Sequence, residues 1–524
     1  MPRAAWLMAL LAGALYVYRL GAAGLVGPDE PRYASIGREM ARSGDWITPR
    51  LWGQPWFEKP ALLYWMEAAA FRLGLGPELA PRLPIAVLAA AFLAFFWWIL
   101  QREFGPRTAA MATLILASSG AWVACSQLGV TDMPLAVSFS AAMLLALPWI
   151  ARRDTTFLPL AALLMGVAVL AKGLVPAALA FPLFWRKAAW RDLLRPRVTL
   201  PFLAVSLPWY ALCWMRNGRE FLIGFFWRQH FERMVSGALL HVQPWWFYLP
   251  VLLASLLPWT PLVALAGRRA AYRDPRRLFL LAWLVFGLVF FSIAPNKLPG
   301  YLLPLLPAGA VLMGLALEEA EAAGARVWLA FSAVVLVFFP MAAPILPAAV
   351  ARGLSRAPHP LFQWSWLLPV CLAVIVWLLE ARARRVTAVV AIAAGAALGT
   401  VYLKHSAVPA LDREASARSL WGEVEGRAAR TCVEPIHRNW RYGLNYYSVV
   451  PLPDCSSDPR PWHIRQLPGE RPFFEPADPA AGHFLAALAE TGATPKAGAA
   501  PAPDESLSSS PSGFRSDGPA RLAR

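Results

Sequence analysis

The sequence has 524 residues, of which 58% are hydrophobic and only 15% charged, and its mean hydropathy is +0.47. Soluble domains contain about 45–50% apolar and roughly 25% charged residues, so this composition excludes a soluble globular protein and predicts several membrane spans. The net charge of +17 does not indicate nucleic-acid binding, because no compact basic module accompanies it. Basic loops that face the cytoplasm and anionic lipid explain it.

Apolar runs long enough to cross about 30 Å of hydrocarbon predict thirteen transmembrane helices in an α-helical polytopic protein. The runs lie near residues 5–26, 83–100, 108–125, 130–150, 156–170, 174–186, 199–215, 246–267, 277–294, 300–317, 326–348, 362–380 and 386–403. The N-terminal run resembles a signal peptide, but no A-x-A cleavage site precedes Pro28, and we interpret it as a retained first span.

Arginines and lysines are concentrated in alternate loops, near 102–107, 152–153, 186–197, 268–277 and 382–385. The intervening short loops carry at most one basic residue. By the positive-inside rule the N-terminus is therefore cytoplasmic, and with thirteen spans the C-terminus is periplasmic, as expected of a bacterial inner-membrane protein.

Three domains are predicted. Residues 1–403 would form the membrane domain, with outward loops 27–82 and 216–245. Residues 404–494 mix polar residues with β-like runs at 431–436 and 444–450, which predicts a small periplasmic α/β cap. Cys432 and Cys455 lie in this part and could form a disulfide in an oxidising compartment. The Ala/Pro/Ser/Gly-rich segment 495–524 is predicted to be disordered.

An acidic pair, Asp29 and Glu30, follows the first span directly. Carboxylates at a membrane boundary are costly unless they are hydrated or paired, which favours a functional site. The alternative is a solvated loop in which Asp29 caps a helix. The later stretch Glu58-Lys59-Pro60 precedes an apolar, aromatic run and predicts an interfacial helix with a charged start. A carboxylate beside an ammonium group can hold a metal or a phosphate.

Other outward loops carry polar residues at span ends. Each has a structural alternative: an N-cap for Asp132, a snorkelling turn residue for Lys172 and a surface position for His230. Carboxylates, an imidazole and cations on one membrane face would together suit a phosphate leaving group and a divalent metal. The predicted set on that face is Asp29, Glu58, Asp132, Lys172, His230, Lys297 and Tyr301.

Seven motifs in chain order resemble the bacterial aminoarabinose (lipid A) transferases and the related protein O-mannosyltransferases. The similarity extends from residue 1 to about residue 310. The motifs are Asp-Glu-Pro-Arg-Tyr-Ala, Phe-Glu-Lys-Pro-Ala-Leu-Leu-Tyr-Trp, Thr-Asp-Met-Pro-Leu-Ala, Ala-Lys-Gly, Gln-His-Phe-Glu-Arg-Met, Pro-Trp-Trp-Phe-Tyr-Leu-Pro and Lys-Leu-Pro-Gly-Tyr-Leu-Leu-Pro. The sequence departs from the family where Pro-Asn-Lys-Leu-Pro-Gly-Tyr replaces the usual Ser-x-x-Lys-Leu-Pro-x-Tyr, and its C-terminal cap is short for the aminoarabinose branch.

The resemblance implies the GT-C membrane fold and an inverting transferase that uses a polyprenyl-phosphate sugar, most simply one that transfers 4-amino-4-deoxy-L-arabinose from undecaprenyl phosphate to lipid A. It implies catalytic roles for Asp29 and Asp132 and a divalent metal such as zinc on Glu58 and His230, with His241 as a rival ligand. The implied donor site consists of phosphate-binding Arg32, Lys59, Lys172 and Arg233, lined by Tyr33, Lys297 and Tyr301.

Three alternatives stay open at this point. One is a protein O-mannosyltransferase or another envelope glycan transferase. The second is a transporter of lipid-linked sugars, which the outward position of the charges disfavours because transporter sites lie near the bilayer midplane. The third is a non-catalytic assembly protein. The expected partners are the lipid-linked donor, lipid A or another envelope acceptor, and membrane lipids, with no nucleic acid.

Overall fold

The computed structural model describes residues 3–184, 190–232, 243–267 and 272–477, with the side chains of 3–6 and 228–232 left out. Nearly all of the regular structure is helical. The helices up to residue 221 are α1 Arg3–Val17, α2 Asp29–Ser43, α3 Leu62–Arg72, α4 Leu79–Phe104, α5 Pro106–Ala117, α6 Gly120–Cys125, α7 Asp132–Leu145, α8 Leu147–Arg152, α9 Leu158–Lys172, α10 Val175–Leu179, α11 Trp190–Leu193 and α12 Pro196–Phe221.

A π-helical segment, Leu222–Glu232, continues from α12. The later helices are α13 Tyr248–Ser255, α14 Pro275–Ile293, α15 Leu306–Glu319, α16 Ala322–Val334, α17 Phe338–Arg352, α18 Leu368–Ala381, α19 Arg385–Ser406, α20 Val408–Ala415, α21 Ala417–Val424 and α22 Arg438–Tyr447. Short 3₁₀ turns lie at Phe181–Phe184, Trp245–Phe247, Thr260–Gly267, Pro299–Leu305, Val335–Val337, Leu354–Arg356, Trp364–Leu367 and Glu425–Arg430. The strands are β1 Arg50–Leu51, β2 Gln54–Pro55, β3 Thr431–Val433, β4 Trp462–Arg465 and β5 Phe473–Pro476.

Eight helical stretches within the described residues are long and apolar enough to cross a membrane, or nine if a pair bent by 108° between Ser255 and Thr260 is one span. This establishes a multi-pass membrane protein. Several of the thirteen predicted spans correspond to short or interrupted helices: the run near 108–125 is divided between α5 and α6, and the run near 156–170 is the 15-residue α9. Proline and glycine at the ends of these pieces explain the interruptions.

The main core lies inside the helical bundle, where α7 and α15 are almost fully buried, as expected of helices that are apolar on every face. The loop 27–82, predicted above to face outward, contains α2, the antiparallel hairpin β1–β2 and α3. The helix predicted after Pro60 is therefore present. At the end of α2, Gly44 adopts φ 73° and its N–H donates to the carbonyl of Met40, which is the usual glycine stop.

A small three-stranded sheet, in the order β3–β4–β5, packs with α21 and α22 beyond residue 416. Strands β3 and β4 are parallel, with Cys432 opposite His463. The predicted β-like run at 431–436 includes β3, but the prediction of a strand at 444–450 is wrong, because Arg438–Tyr447 is helical. The His437 imidazole caps this helix, and Trp440, Gly443 and Leu444 are buried at helical spacing.

The small sheet and its helices have a core of their own, which includes Leu420, Val433, Trp440 and Ile464. The described residues up to Glu475 nevertheless form one compact unit. The Tyr446 hydroxyl donates to the carbonyl of Pro77 (2.6 Å), and Arg38 donates to the carbonyl of Tyr446 (2.7 Å). These bonds join α22 to the loop 27–82, which carries the acidic pair.

Candidate active site

A chain of alternating charges lies at the start of α2. Arg32 Nη2 is 2.6 Å from Asp29 Oδ1 and 3.0 Å from Glu58 Oε2, so one guanidinium group bridges two carboxylates. Lys59 Nζ is 3.2 Å from Glu58 Oε1. The carboxylate of Glu58 is only 7% exposed, whereas that of Asp29 is 43% exposed. Asp29 is therefore the acid of this group that an incoming substrate can reach.

Arg32 is enclosed by aromatic rings. Its guanidinium carbon is 5.2 Å from the ring centre of Tyr33, 5.9 Å from that of Trp56 and 5.4 Å from that of Tyr442. Burial alone would lower the pKa of Arg32, but the negative charges of Glu58 and Asp29 outweigh it and raise that pKa. The side chain is thus a permanent, oriented cation.

A second ion pair joins Asp132, the first residue of α7, to Lys172, the last residue of α9. Lys172 Nζ is 2.5 Å from Asp132 Oδ1 and 4.5 Å from the ring centre of Tyr301. A side chain at Gly300 would come within 3.3 Å of the Asp132 carboxyl, so the Gly300-Tyr301 turn lies against this pair. The structure therefore brings together Asp132, Lys172 and Tyr301 as predicted from the sequence.

The two clusters lie near each other, since the Asp29 carboxylate, like that of Asp132, is close enough to act electrostatically on the Lys172 ammonium group. Neither Asp29 nor Asp132 caps a helix, which was the structural alternative to a functional role. Asp29 and Asp132 each stand at the first helical position, and neither helix start has a side-chain cap. Their carboxylates bind Arg32 and Lys172 instead.

The position of α2 depends on Glu30, which is buried, with only 1% of its surface exposed. Its carboxylate accepts from Arg82 Nε (2.7 Å) and Nη2 (2.8 Å) and from the N–H groups of Val26 (2.9 Å) and Gly129 (3.0 Å). Arg82 also donates to three carbonyl groups after α1, those of Leu20, Ala23 and Gly24. Sequence reasoning missed Arg82, although an arginine at the start of a 26-residue apolar helix was a usable signal.

Tyr33 and Lys297 were predicted to line the donor site. Tyr33 is 2% exposed, and burial, followed by the charges of Glu58 and Asp29, raises the pKa of its hydroxyl. Lys297 donates to the carbonyls of Gln243 (3.0 Å) and Ala294 (2.6 Å), and burial lowers the pKa of its amine. The Lys297 bonds connect two loops, so its ammonium group has a structural role in this conformation.

The histidine part of the predicted metal site lies outside the described residues. The side chain of His230, and all of Arg233 and His241, lie outside the described residues. The segment that carries His230 does begin near the site: the ring of Phe57, next to Glu58, is 5.3 Å from that of Phe221, and Gly224 faces Phe57.

The C-terminal cysteines are joined, Cys432 to Cys455. Within the described part of the chain, their sulfur atoms and a ring nitrogen of His463 lie within 4.8 Å of one another, which is close enough to hold a metal ion. Because both thiols are consumed in the disulfide, no thiolate ligand remains there. His463 instead lies 2.9 Å from Glu434.

Glu67, on α3, is fully buried with neither carboxylate oxygen hydrogen-bonded in the described structure. Burial, and then the charge of Glu30, raises the pKa of Glu67 well above its usual range.

When a carboxyl group is neutral in the folded protein and ionised in the unfolded chain, the free energy of unfolding falls as the pH rises above the unfolded pKa of about 4.3. We expect Glu67→Gln to raise Tm at pH 7 and to leave it nearly unchanged at pH 4, measured by thermal unfolding in detergent at both values. An equal shift at both pH values would contradict a neutral Glu67.

The sequence matches known proteins in two ways. A family profile described as "Dolichyl-phosphate-mannose-protein mannosyltransferase" matches residues 58–214. An undecaprenyl phosphate-alpha-4-amino-4-deoxy-L-arabinose arabinosyl transferase of Pseudomonas paraeruginosa is 34% identical over 334 residues, which are 60% of each chain. The corresponding Serratia proteamaculans protein is 31% identical over 399 residues, 72% of this chain and 70% of its own. The chain thus matches only about 60% of the length of some relatives.

Two crystal structures of ArnT from Cupriavidus metallidurans are similar over 93% of this chain and 94% of theirs. The form bound to undecaprenyl phosphate has a TM-score of 0.68 at 26% identity, and the apo form 0.71 at 24% identity. This likeness confirms the prediction of a helical GT-C membrane fold.

Proposed function

The chain belongs to the family of the undecaprenyl phosphate-alpha-4-amino-4-deoxy-L-arabinose arabinosyl transferases, and on that premise we propose that it is an inverting glycosyltransferase of the bacterial inner membrane. Its donor is a polyprenyl phosphate sugar, most simply undecaprenyl phosphate-linked 4-amino-4-deoxy-L-arabinose. Its acceptor is lipid A or a similar envelope molecule. The likeness to a structure bound to undecaprenyl phosphate supports this donor.

The observation that carries the proposal is the charge chain Asp29–Arg32–Glu58–Lys59 beside the Asp132–Lys172 pair. A polyprenyl phosphate leaves with its negative charge, and preorganised cations lower the barrier to its departure. Arg32, Lys59 and Lys172 are three such cations, held in place by carboxylates. A planar guanidinium and two ammonium groups suit the oxygens of a phosphate.

The role of Asp29 depends on the acceptor. A hydroxyl acceptor requires a general base, and Asp29 is the accessible carboxylate that could take the proton. A lipid A phosphate is already ionised, and in that case Asp29 orients the acceptor or stabilises positive charge on the sugar ring. Direct attack by the acceptor inverts the anomeric centre in either case. Asp132 is the second acid and holds Lys172 in position.

We include a divalent metal, zinc or similar, in this proposal. Glu58 offers a buried carboxylate, and the segment that carries His230 begins against Phe57. Glu58 is already bound by Arg32 and Lys59, so a metal would have to share its carboxylate with them. A bound cation would supply further neutralisation of the phosphate charge. We expect Glu58→Gln and His230→Ala each to reduce the zinc content of the purified protein, measured by mass spectrometry of the metal. Unchanged zinc content, or no zinc in the wild type, would overturn this part.

The finer topology also belongs to the proposal. Thirteen spans require the bent pair around Ser255 and Thr260 to be one span and the short helices α1, α5 with α6, α9 and α10 to be membrane segments. The N-terminus is then cytoplasmic and the C-terminus periplasmic. Residues 1–403 are then the membrane domain and 404–494 a small periplasmic α/β cap. The tail predicted at 495–524 lies outside the described residues. Cysteine labelling from each side of the membrane tests it.

A protein O-mannosyltransferase is the second candidate, and the family profile that matches residues 58–214 favours it. The two activities use the same class of donor and differ in sugar and acceptor. Transfer should be tested with purified protein in nanodiscs, using undecaprenyl phosphate-aminoarabinose with lipid A and polyprenyl phosphate-mannose with a serine-rich peptide, each with and without chelator. We expect product only from the first pair, with inverted anomeric configuration. Product only from the second pair would favour the mannosyltransferase, and product from neither would reject the proposal.

A further inference from the structure

A polar cavity of about 980 Å³ lies between the end of α17 and the C-terminal part of the chain. Its walls come from three places: residues 351–356 after α17, residues 413–414 on α20, and residues 435–440 and 466–471 around the small sheet. It contains none of the residues of the acidic site described above, so we treat it as a separate cleft and call it the arginine cleft.

Positive charge predominates in the arginine cleft. Arg352, Arg356, Arg413 and Arg471 line it, against two carboxylates, Glu414 and Glu470. Arg352 is paired with Glu414 at 2.9 Å, and Arg471 with Glu423 at 2.7 Å. In the described part of the chain Arg356 and Arg413 form no ion pair, and Arg356 Nη1 packs against the Gly469 turn. Two guanidinium groups in an open cavity are therefore available to an anion.

The loop beside this cleft has the composition of a membrane-interface segment. Residues 353–363 connect two candidate spans, and large side chains are exposed along this segment and at the first residue of the second span: Leu354 is 75%, Leu361 85% and Trp364 80% exposed. Exposed aliphatic and tryptophan side chains next to a span are typical of the headgroup boundary. A ligand of the arginine cleft would therefore be presented at the lipid surface.

Helix α22 links the arginine cleft to the acidic site. Asn439 and Trp440, in its first turn, line the cleft. Tyr442, less than one turn further, packs over the Arg32 guanidinium at 5.4 Å and stacks on Trp52 at 5.6 Å. Since a helix rises about 1.5 Å per residue, the two sites are neighbours on one helix.

We propose that the arginine cleft binds a phosphate group of the glycolipid acceptor and so positions the acceptor beside Asp29. The proposal rests on the proposed function, because it assigns an acceptor-binding site for the glycosyl transfer proposed above. Arginine suits this role because its planar fork binds phosphate oxygens in pairs. The acyl chains would lie along the exposed apolar residues of the segment 353–364, and α22 would be the wall between the acceptor headgroup and the donor site.

The test uses the full-length protein in nanodiscs of zwitterionic lipid, as wild type, as Arg356→Gln/Arg413→Gln and as Arg430→Gln. Arg430 is a matched control, since it is exposed in the same C-terminal part but does not line the cleft. Binding is measured with lipid A that carries both phosphates and with dephosphorylated lipid A. Initial rates of sugar transfer are measured at varied concentrations of the donor and of the phosphorylated acceptor.

We expect the double variant to weaken binding of phosphorylated lipid A at least tenfold and to raise the acceptor KM by a similar factor. The kcat and the donor KM should stay within about twofold of wild type, and Arg430→Gln should match wild type throughout. Dephosphorylated lipid A should bind the wild type and the double variant equally weakly. Because both replaced arginines are exposed, thermal unfolding should confirm that the double variant folds.

Three outcomes would overturn the assignment. The first is equal binding of phosphorylated lipid A by wild type and double variant. The second is an equal loss in Arg430→Gln, which would indicate a general charge effect. The third is competition by phosphatidylglycerol or inorganic phosphate as effective as that of lipid A, which would indicate a site for bulk lipid or free anion. If the wild type transfers no sugar, the proposed function fails, while the binding comparison still decides whether the cleft holds the lipid phosphate.

Discussion

Asp29→Asn is expected to lower kcat by roughly 10²–10⁴-fold, the range that a general acid–base group contributes. The substitution preserves the size of the side chain and removes its charge, while Glu58 still holds Arg32 at 3.0 Å. Because the Asp29 carboxylate is 43% exposed, its loss should change Tm little. Initial rates of sugar transfer by the purified variant, together with its thermal unfolding, measure both effects.

Glu39→Gln is the matched control, since Glu39 lies on the same helix and accepts from the N–H of Gly53, outside the acidic site. Its transfer rate should be close to that of wild type. Full activity of Asp29→Asn, or isolation of a covalent glycosyl-enzyme, would contradict a single displacement centred on Asp29. The rate loss should be larger with a hydroxyl acceptor than with a phosphate, because only the hydroxyl must lose a proton.

Arg82→Met is expected to lower the free energy of unfolding by about 3–5 kcal/mol, the cost of leaving one member of a buried ion pair alone. Glu30 would lose both of its bonds to Arg82, and the carbonyls of Leu20, Ala23 and Gly24 would lose their donor. Since α2 carries both Glu30 and Asp29, transfer activity should fall too. Denaturant unfolding in detergent measures the stability change.

The double variant Glu30→Gln/Arg82→Met should be less destabilised than the sum of the single changes, because the charge left uncompensated by Arg82→Met is no longer present. Arg42→Met, at the exposed end of the same α2, should be within about 0.5 kcal/mol of wild type. Additive effects of the two substitutions would show that the pair does not act as a unit.

Several features of the site could be predicted from local sequence. Asp29, Glu58-Lys59 and Asp132 stand where helices begin or where loops leave apolar runs, and such interruptions of an apolar pattern are visible in the sequence. The helix after Pro60 was visible for the same reason. The strand predicted at 444–450 was wrong because a short stretch of aromatic and β-branched residues does not distinguish a strand from one face of a helix.

The sequence alone determined the class of protein and the chemistry available to it. An excess of apolar residues requires a membrane, and the alternating arginine-rich loops predict which side the carboxylates face. Which charges meet was decided only by the tertiary structure. Arg32 reaches Glu58 across 26 residues, Lys172 reaches Asp132 across 40, and Arg82 reaches Glu30 across 52. Helix packing sets these pairings. Hydropathy and motif spacing describe only local stretches of sequence, so they do not predict contacts between residues this far apart. Tyr442 packs over Arg32 for the same reason, since only the folding of the C-terminal part back onto the loop 27–82 brings it there.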